Sequence, residues 1–544
     1  MRPISDVANE LGLDPEHLIM YGKHKAKVHL DAMNTPRRGT QPGRLVLVSA
    51  LTPTPAGEGK TTTTVGLGQA MRSLGESVCV ALREPSLGPC FGIKGGGAGG
   101  GNCNVEPAID INLHFNGDFH AISSAHNLLA AAIDNHLHFG NKLRFDIRRL
   151  LWPRVMDMND RSLRSIMVGM GGRTGGIPRE TGFDITAASE VMAILCLSED
   201  IDDLRRRLDN TLVGFSMERE PIYARQLEVT GAMVALLRDA MNPNLVQTTD
   251  GTPAFVHGGP FANIAHGCNS IIATRMAMHH ADWTITEAGF GFDLGAEKFF
   301  DIKCRQAGLD TVCVVLVATV RALKMHGGVS LKELGGDNPE AVLRGLPNLA
   351  RHLDSIQNFG EKAVVAINRF ANDSDAEIET VRAWCEEREV PVAMCTHYAD
   401  GAAGAVDLAQ AVLATAEWNS SPFTPTYELD QPIVDKIRNI VQKVYGGDDV
   451  ILTADAKRDL GLIKRLGLTD LPICMAKTQN SVSDNPKLRG RPEGFDITVR
   501  RIRINTGAGF LVVLTGDIMR MPGLPRRPAA ADIDVVDGQI VGMS

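Results

Sequence analysis

Leu45-Val46-Leu47-Val48, followed by Thr54-Pro55-Ala56-Gly57-Glu58-Gly59-Lys60-Thr61, is the stretch that decides the fold. The apolar run reads as a buried strand. A strand that runs into a glycine-rich turn and then a helix, here over residues 61–74, is how proteins hold a triphosphate. The turn's N–H groups and the helix N-terminus face the anion, Lys60 reaches the outer phosphates, and Thr61 is placed to hold Mg²⁺. The usual spacing, G-x-x-x-x-G-K-[ST], puts its first glycine at position 54, where this chain has threonine. Pro55 biases Thr54 towards an extended backbone, so the turn is entered differently from most phosphate loops. A second apolar run, Val78-Cys79-Val80-Ala81-Leu82, follows the helix and supports the motif. The competing reading is a surface turn that happens to contain G-x-G-K-T.

A chain of 544 residues suffices for roughly three domains with large cores. A hydrophobic content of 44% with 22% charged residues is that of an ordinary globular protein. The net charge of -8 argues against a general nucleic-acid or anionic-membrane binder. The ten cysteines contain no C-x-x-C pair, which suits a reducing compartment and gives no zinc site. With no apolar signal core and no window of about 18 apolar residues, the expected location is the cytoplasm.

Further β-rich runs at 311–317, 363–367 and 390–394 alternate with helical patterns, which implies a parallel sheet with crossover helices. The expected fold is α/β, a P-loop NTPase-like parallel sheet core with helices on both faces over 1–345. A second α/β domain (346–473) and a small β-rich C-terminal domain (474–544) follow. The last rests on the alternating Ile497–Ile504 stretch and the Phe510–Leu514 run. Ligands on such sheets bind at the carboxyl ends of strands. Arg83-Glu84, Arg321, Asn368-Arg369-Phe370 and Thr396-His397-Tyr398 all follow expected strands, so one composite site is a candidate; plain loop starts are the alternative.

Gly92-Ile93-Lys94-Gly95-Gly96-Gly97-Ala98-Gly99-Gly100-Gly101 offers many unobstructed N–H groups at a high entropic cost. It reads as an active-site loop over a phosphate or acyl phosphate, with Lys94 adding charge, or else as a flexible linker. The neighbouring histidines (114, 120, 126, 136, 138) lack metal-ligand spacing and read as helix-face residues. Asp118 and His120, just past the loop, are better placed for polar contacts.

These segments, with Val317–Gly328, Thr286-Glu287-Ala288-Gly289-Phe290-Gly291 and the C-terminal Gly516–Pro525, resemble the formate–tetrahydrofolate ligase family along essentially the whole chain. The resemblance implies an enzyme that uses Mg-ATP to convert formate into formyl phosphate and passes the formyl group to tetrahydrofolate. Carried to matching positions, it gives Lys60, Arg83 and Glu84 catalytic roles, with Lys60 on the transferring phosphoryl group and Arg83 on the acyl phosphate. Thr54, Pro55, Ala56, Gly57, Glu58, Gly59, Lys60 and Thr61 bind ATP, and Thr61 holds Mg²⁺. Lys94, Gly95, Gly96 and Gly97 form the acyl-phosphate loop, while Phe370 and Tyr398 stack on adenine or the pterin. The resemblance also implies a homotetramer activated by a monovalent cation such as K⁺. The chain departs from the family pattern at Tyr398 (usually tryptophan), at Asn102 and Asn480 (usually tyrosine), and at Ala108-Ile109. A paralogue with another acyl acceptor therefore stays open, as does a nucleotide switch that acts on a protein.

Overall fold

The computed structural model describes residues 1–37, 43–94, 96–417, 422–516 and 518–543, with the side chain of Lys94 outside that description. Its centre is one sheet of twelve strands. In chain order these are β1 Leu18–Met20, β2 Ala26–Val28, β3 Arg44–Ala50, β4 Val78–Leu82, β5 Gly99–Gly100 and β6 Cys103–Glu106. They continue with β7 Asn244–Thr248, β8 Pro253–Val256, β9 Trp283–Glu287, β10 Cys313–Ala318, β11 Ala363–Asn368 and β12 Val392–Cys395. The strands lie in the order β1-β2-β7-β8-β4-β9-β3-β10-β11-β12, with β6 branching from β7 and β5 from β6. From β8 to β12 every pairing is parallel, and the remainder is antiparallel.

The central strands alternate between two cores. Leu45 and Leu47 of β3 join Leu316 on one face, with Ile122, Leu129, Val342 and Leu349 from the helices Asp118–His138 and Pro339–Asn358. Val46 and Val48 join Val315 and Val317 on the other, against Leu67 and Met71 of α1 (Lys60–Ser73) and Leu408 and Val412 of α2 (Val406–Ala416). A strand covered on both faces needs apolar residues throughout, which is why β3 and β10 read as unbroken runs. Each fully buried valine or leucine contributes about 1.5–3 kcal/mol. Helix α1 lies close to the sheet because Gly68 has no side chain: a Cβ there would sit 2.6 Å from Val80 Cγ2.

Two of the expected domain limits fall inside elements of the structure. Position 345 falls inside the helix Pro339–Asn358, and β11 and β12 extend the same sheet through β10. Position 474 falls inside the strand Ile473–Ala476, which pairs parallel with Phe510–Leu514. The C-terminal strands also recruit Val450–Leu452, which pairs with Ile497–Val499. Composition marked where the chain changes character but carried no record of which strands pair. Strands β7 and β9 were not evident from sequence because Gln247, Thr248, Thr284 and Thr286 interrupt their apolar residues, and β8 because it is only four residues long and opens on a proline. Among the described residues, no helix is long and apolar enough to cross a membrane.

Candidate active site

The site is assembled from the carboxyl ends of β4, β9, β3, β10, β11 and β12. β3 lies between β9 and β10, and the chain leaves it first towards β4 and later returns on its other side. The strand order therefore reverses at β3, and such a reversal opens a crevice above the strand ends.

After β3 the backbone turns tightly, with the Gly57 N–H donating to Thr54 O at 3.0 Å. Gly57 and Gly59 both adopt left-handed conformations, φ 78° and 74°, which glycine reaches without a Cβ penalty. A Cβ at Gly59 would also lie 2.5 Å from Asn368 Nδ2, which donates instead to the Glu58 carbonyl at 3.0 Å. Pro55 and Ala56 are exposed, and Lys60 and Thr61 are half-buried at the start of α1. The Glu58 side chain is 1% exposed and points inward. One oxygen accepts from the Thr54 N–H at 2.5 Å, and the other accepts from the Thr319 hydroxyl and lies 3.9 Å from Arg321 Nε. Burial pushes the Glu58 carboxyl upward in pKa, against the hydrogen bond from Thr319 and the charge of Arg321. The carboxylate braces the turn from beneath, which leaves its backbone to face a ligand.

The neighbouring strand ends close around this turn. Glu287, the last residue of β9, accepts from Thr61 Oγ1 at 2.8 Å, and its second oxygen stands 3.9 Å from Arg83 Nη2. Arg83 follows β4 and also donates to the Pro260 carbonyl at 3.3 Å. Arg321, beyond β10, donates to the Gly57 carbonyl and lies over the Phe370 ring, 4.0 Å from its centroid. One face of Phe370 is thus occupied. His397, after β12, meets Thr63 of α1 through Nε2 at 3.3 Å. Arg83, Arg321, Asn368, Phe370 and His397 are brought to one rim, as strand-end residues should be. Glu287 had no assigned role in the sequence reading; its signal was its position at the end of a short, threonine-interrupted strand.

Glu84 follows Arg83 at the end of β4, and its N–H donates to the Gly258 carbonyl at 2.8 Å. It is buried, and its carboxyl is pushed well up by burial and by the charge of Asp118, against the pull of Lys27. Asp118 is itself committed to Lys27 at 2.7 Å and to Asn244 at 2.7 Å, and His120 is exposed. Within the described part of the glycine-rich segment, β5 pairs with β6, Gly97 N–H donates to Asn112 at 2.8 Å, and Gly99 and Gly101 have positive φ. The Lys94 side chain and Gly95 lie outside the described residues. Tyr398 is 58% exposed, and its carbonyl accepts from the Asn102 N–H at 2.9 Å. Its ring lies against Gly100, where a Cβ would come within 3.0 Å of it. Asn102, one of the departures from the family pattern, thus helps to join the glycine loop to Tyr398.

Against known proteins, the model of the family formate–tetrahydrofolate ligase matches residues 1–544, the whole chain. The chain belongs to that family, whose members ligate formate to tetrahydrofolate at the expense of ATP.

Proposed function

We propose that this chain forms 10-formyltetrahydrofolate in two steps at the strand ends around β3. A formate oxygen first attacks the γ-phosphorus of ATP, the bond to the bridging oxygen breaks, and ADP leaves, giving formyl phosphate. The N10 amine of tetrahydrofolate then attacks the formyl carbon, the bond to phosphate breaks, and the amine proton passes to the departing phosphate. Phosphoryl transfer demands positioning and charge neutralisation more than covalent chemistry. In this reading the N–H groups over Gly57–Lys60 bind the phosphates. Lys60 neutralises the transferring group, and Arg83 grips the acyl phosphate, bidentately where geometry allows. Loss of one such preorganised contact costs about 3 kcal/mol of barrier.

The observation that carries the proposal is Glu287, which meets Thr61 with one oxygen and faces Arg83 with the other. It ties the phosphate turn to the arginine that takes the product of the first step. The Thr61 hydroxyl and Glu287 carboxylate are hard oxygen donors that suit Mg²⁺, and the ion would supply charge neutralisation on the triphosphate. The acyl phosphate hydrolyses in open water, and by family resemblance Lys94, Gly95, Gly96 and Gly97 are its contacts. Glu84, buried behind Arg83, acts through its neighbours. Phe370 offers its free face to adenine, and Tyr398 stacks on the pterin. A P-loop-like origin of the core is supported by the place of β3 in the strand order.

Activation by K⁺ and a homotetrameric assembly complete the reading, on family resemblance alone. All ten cysteines are buried and in no disulfide, which suits the reducing cytoplasm. The test is product formation from formate, Mg-ATP and tetrahydrofolate, with acid quenching to the absorbing methenyl form and Lys60→Ala as the blank. Product supports the proposal. Formate-dependent ADP release without formyl product keeps formyl phosphate and points to another acceptor, a reading that the exposed Tyr398 in place of tryptophan favours. Silence in both assays from folded protein sinks it.

A further inference from the structure

One cavity, of about 720 Å³, has no task in the reaction so far described. It lies between the 156–161 segment and residues 524–526 near the C-terminus. Met156, Met158 and Leu524 form apolar walls, and Arg161 and Arg526 line it. Neither guanidinium is ion-paired among the described residues. Arg161 donates to the Leu524 carbonyl, which ties the two walls together. Asp160, the one carboxylate on the wall, is turned to the Ser162 N–H at 2.9 Å.

Asn159 connects this cavity to the glycine loop. It lines the cavity, and its Nδ2 donates to the Gly88 carbonyl at 3.0 Å. Its amide would collide with a Cβ at either end of the following turn, at 2.4 Å for Gly88 and 2.6 Å for Gly92. Its Oδ1 is buried with no hydrogen-bond partner. The Ala529–Ala531 turn packs on Cys90–Lys94. At its far end the loop rests on Tyr398, through Gly100 and Gly101. The glycine loop thus runs from an exposed aromatic ring to an apolar cavity with two arginines.

Tetrahydrofolate has the matching chemistry, with a flat pterin at one end and an aminobenzoyl-glutamate bearing two carboxylates at the other. We infer that the cavity receives the glutamate end of tetrahydrofolate, with Arg526 and Arg161 on the carboxylates and Met156, Met158 and Leu524 around the aminobenzoyl ring. The planar guanidinium is the side chain best matched to a carboxylate. The inference rests on the ligase reading with the pterin at Tyr398.

The test compares KM for tetrahydrofolate with KM for tetrahydropteroate, the same molecule without its glutamate, in the purified full-length protein. Arg526 is exposed, so Arg526→Glu folds. Arg527→Glu is the control, since Arg527 is already engaged with Asp532 and does not line the cavity. The wild type should show a KM for tetrahydropteroate at least about tenfold above that for tetrahydrofolate, the size expected of a charged hydrogen bond. Arg526→Glu should raise the tetrahydrofolate KM until the two nearly meet, and Arg527→Glu should keep the wild-type ratio. A wild-type ratio near one, or an unchanged ratio in Arg526→Glu, with product still forming, overturns the cavity assignment and leaves the ligase reading intact. Absence of formyl product from wild-type protein and tetrahydrofolate overturns the acceptor reading and this inference with it.

Discussion

Replacing Glu58 by alanine separates a brace from a ligand. In the structure its carboxylate serves the Thr54 N–H at 2.5 Å and the Thr319 hydroxyl, with Arg321 3.9 Å away. An orphaned buried donor costs about 1–3 kcal/mol. The Thr54 N–H has no second partner to turn to and is assigned about 2 kcal/mol. The Thr319 hydroxyl already accepts from Ala322 N–H at 3.2 Å and can reorient, so it is assigned about 1 kcal/mol. Removing a carboxylate whose own burial is unfavourable offsets the void left behind. The net expectation for Glu58→Ala is a loss of about 3 kcal/mol in local stability. A looser phosphate turn should follow, seen as a lower thermal midpoint and a raised KM for ATP. Glu58→Gln keeps an acceptor for Thr54 and should lose only about 1 kcal/mol. The assay is thermal unfolding at one scan rate, beside ATP titration of the formyl-product rate. A Glu58→Ala protein as stable as the wild type but unable to use ATP would refute the reasoning, because the carboxylate would then be touching the nucleotide.

Three further outcomes are expected. Arg321→Met removes the donor to Gly57 and the cation over Phe370, contacts worth together about 2–3 kcal/mol, so KM for ATP should rise at least about tenfold. An ATP KM within twofold of wild type would show that Arg321 does not organise the turn. Glu287→Gln weakens the grip on Thr61 and Arg83. Mg²⁺ titration of nucleotide binding by calorimetry should then require about tenfold more metal, and an unchanged Mg²⁺ midpoint would remove Glu287 from the metal's surroundings. Burial raises the Glu361 carboxyl to about 8, opposed by the hydrogen bond from Thr311. The folded protein therefore holds this proton where the unfolded chain has lost it, and the stability it lends below about pH 4.5 is lost as pH rises to about 8. Glu361→Gln should flatten that part of the urea-midpoint profile, and a profile parallel to wild type would place the proton elsewhere.

The glycine turn between β3 and α1 was legible because its signals are local. Left-handed backbone at Gly57 and Gly59 needs glycine, the helix begins at the next residue, and unbroken apolar runs mark strands buried on both faces. The strand ends carrying Arg83, Arg321, Phe370 and Tyr398 were legible for the same reason, since each follows its strand directly in the chain. What the chain alone determined, then, is the set of pieces: strand, turn, helix, glycine loop, and the polar residues that follow each strand. The tertiary structure decided which way they face and what they meet. Glu58 looked like one more residue of an anion-binding turn, yet its carboxylate is claimed by Thr319, 261 positions away. Glu287 acquired its place only when β9 slid between β3 and β4, and the pairing of β11, β12 and the Ile473–Ala476 strand was likewise set by partners distant in the chain. Hydrogen bonds between strands and the burial of a carboxylate depend on residues hundreds of positions apart, and no local pattern of side chains records them.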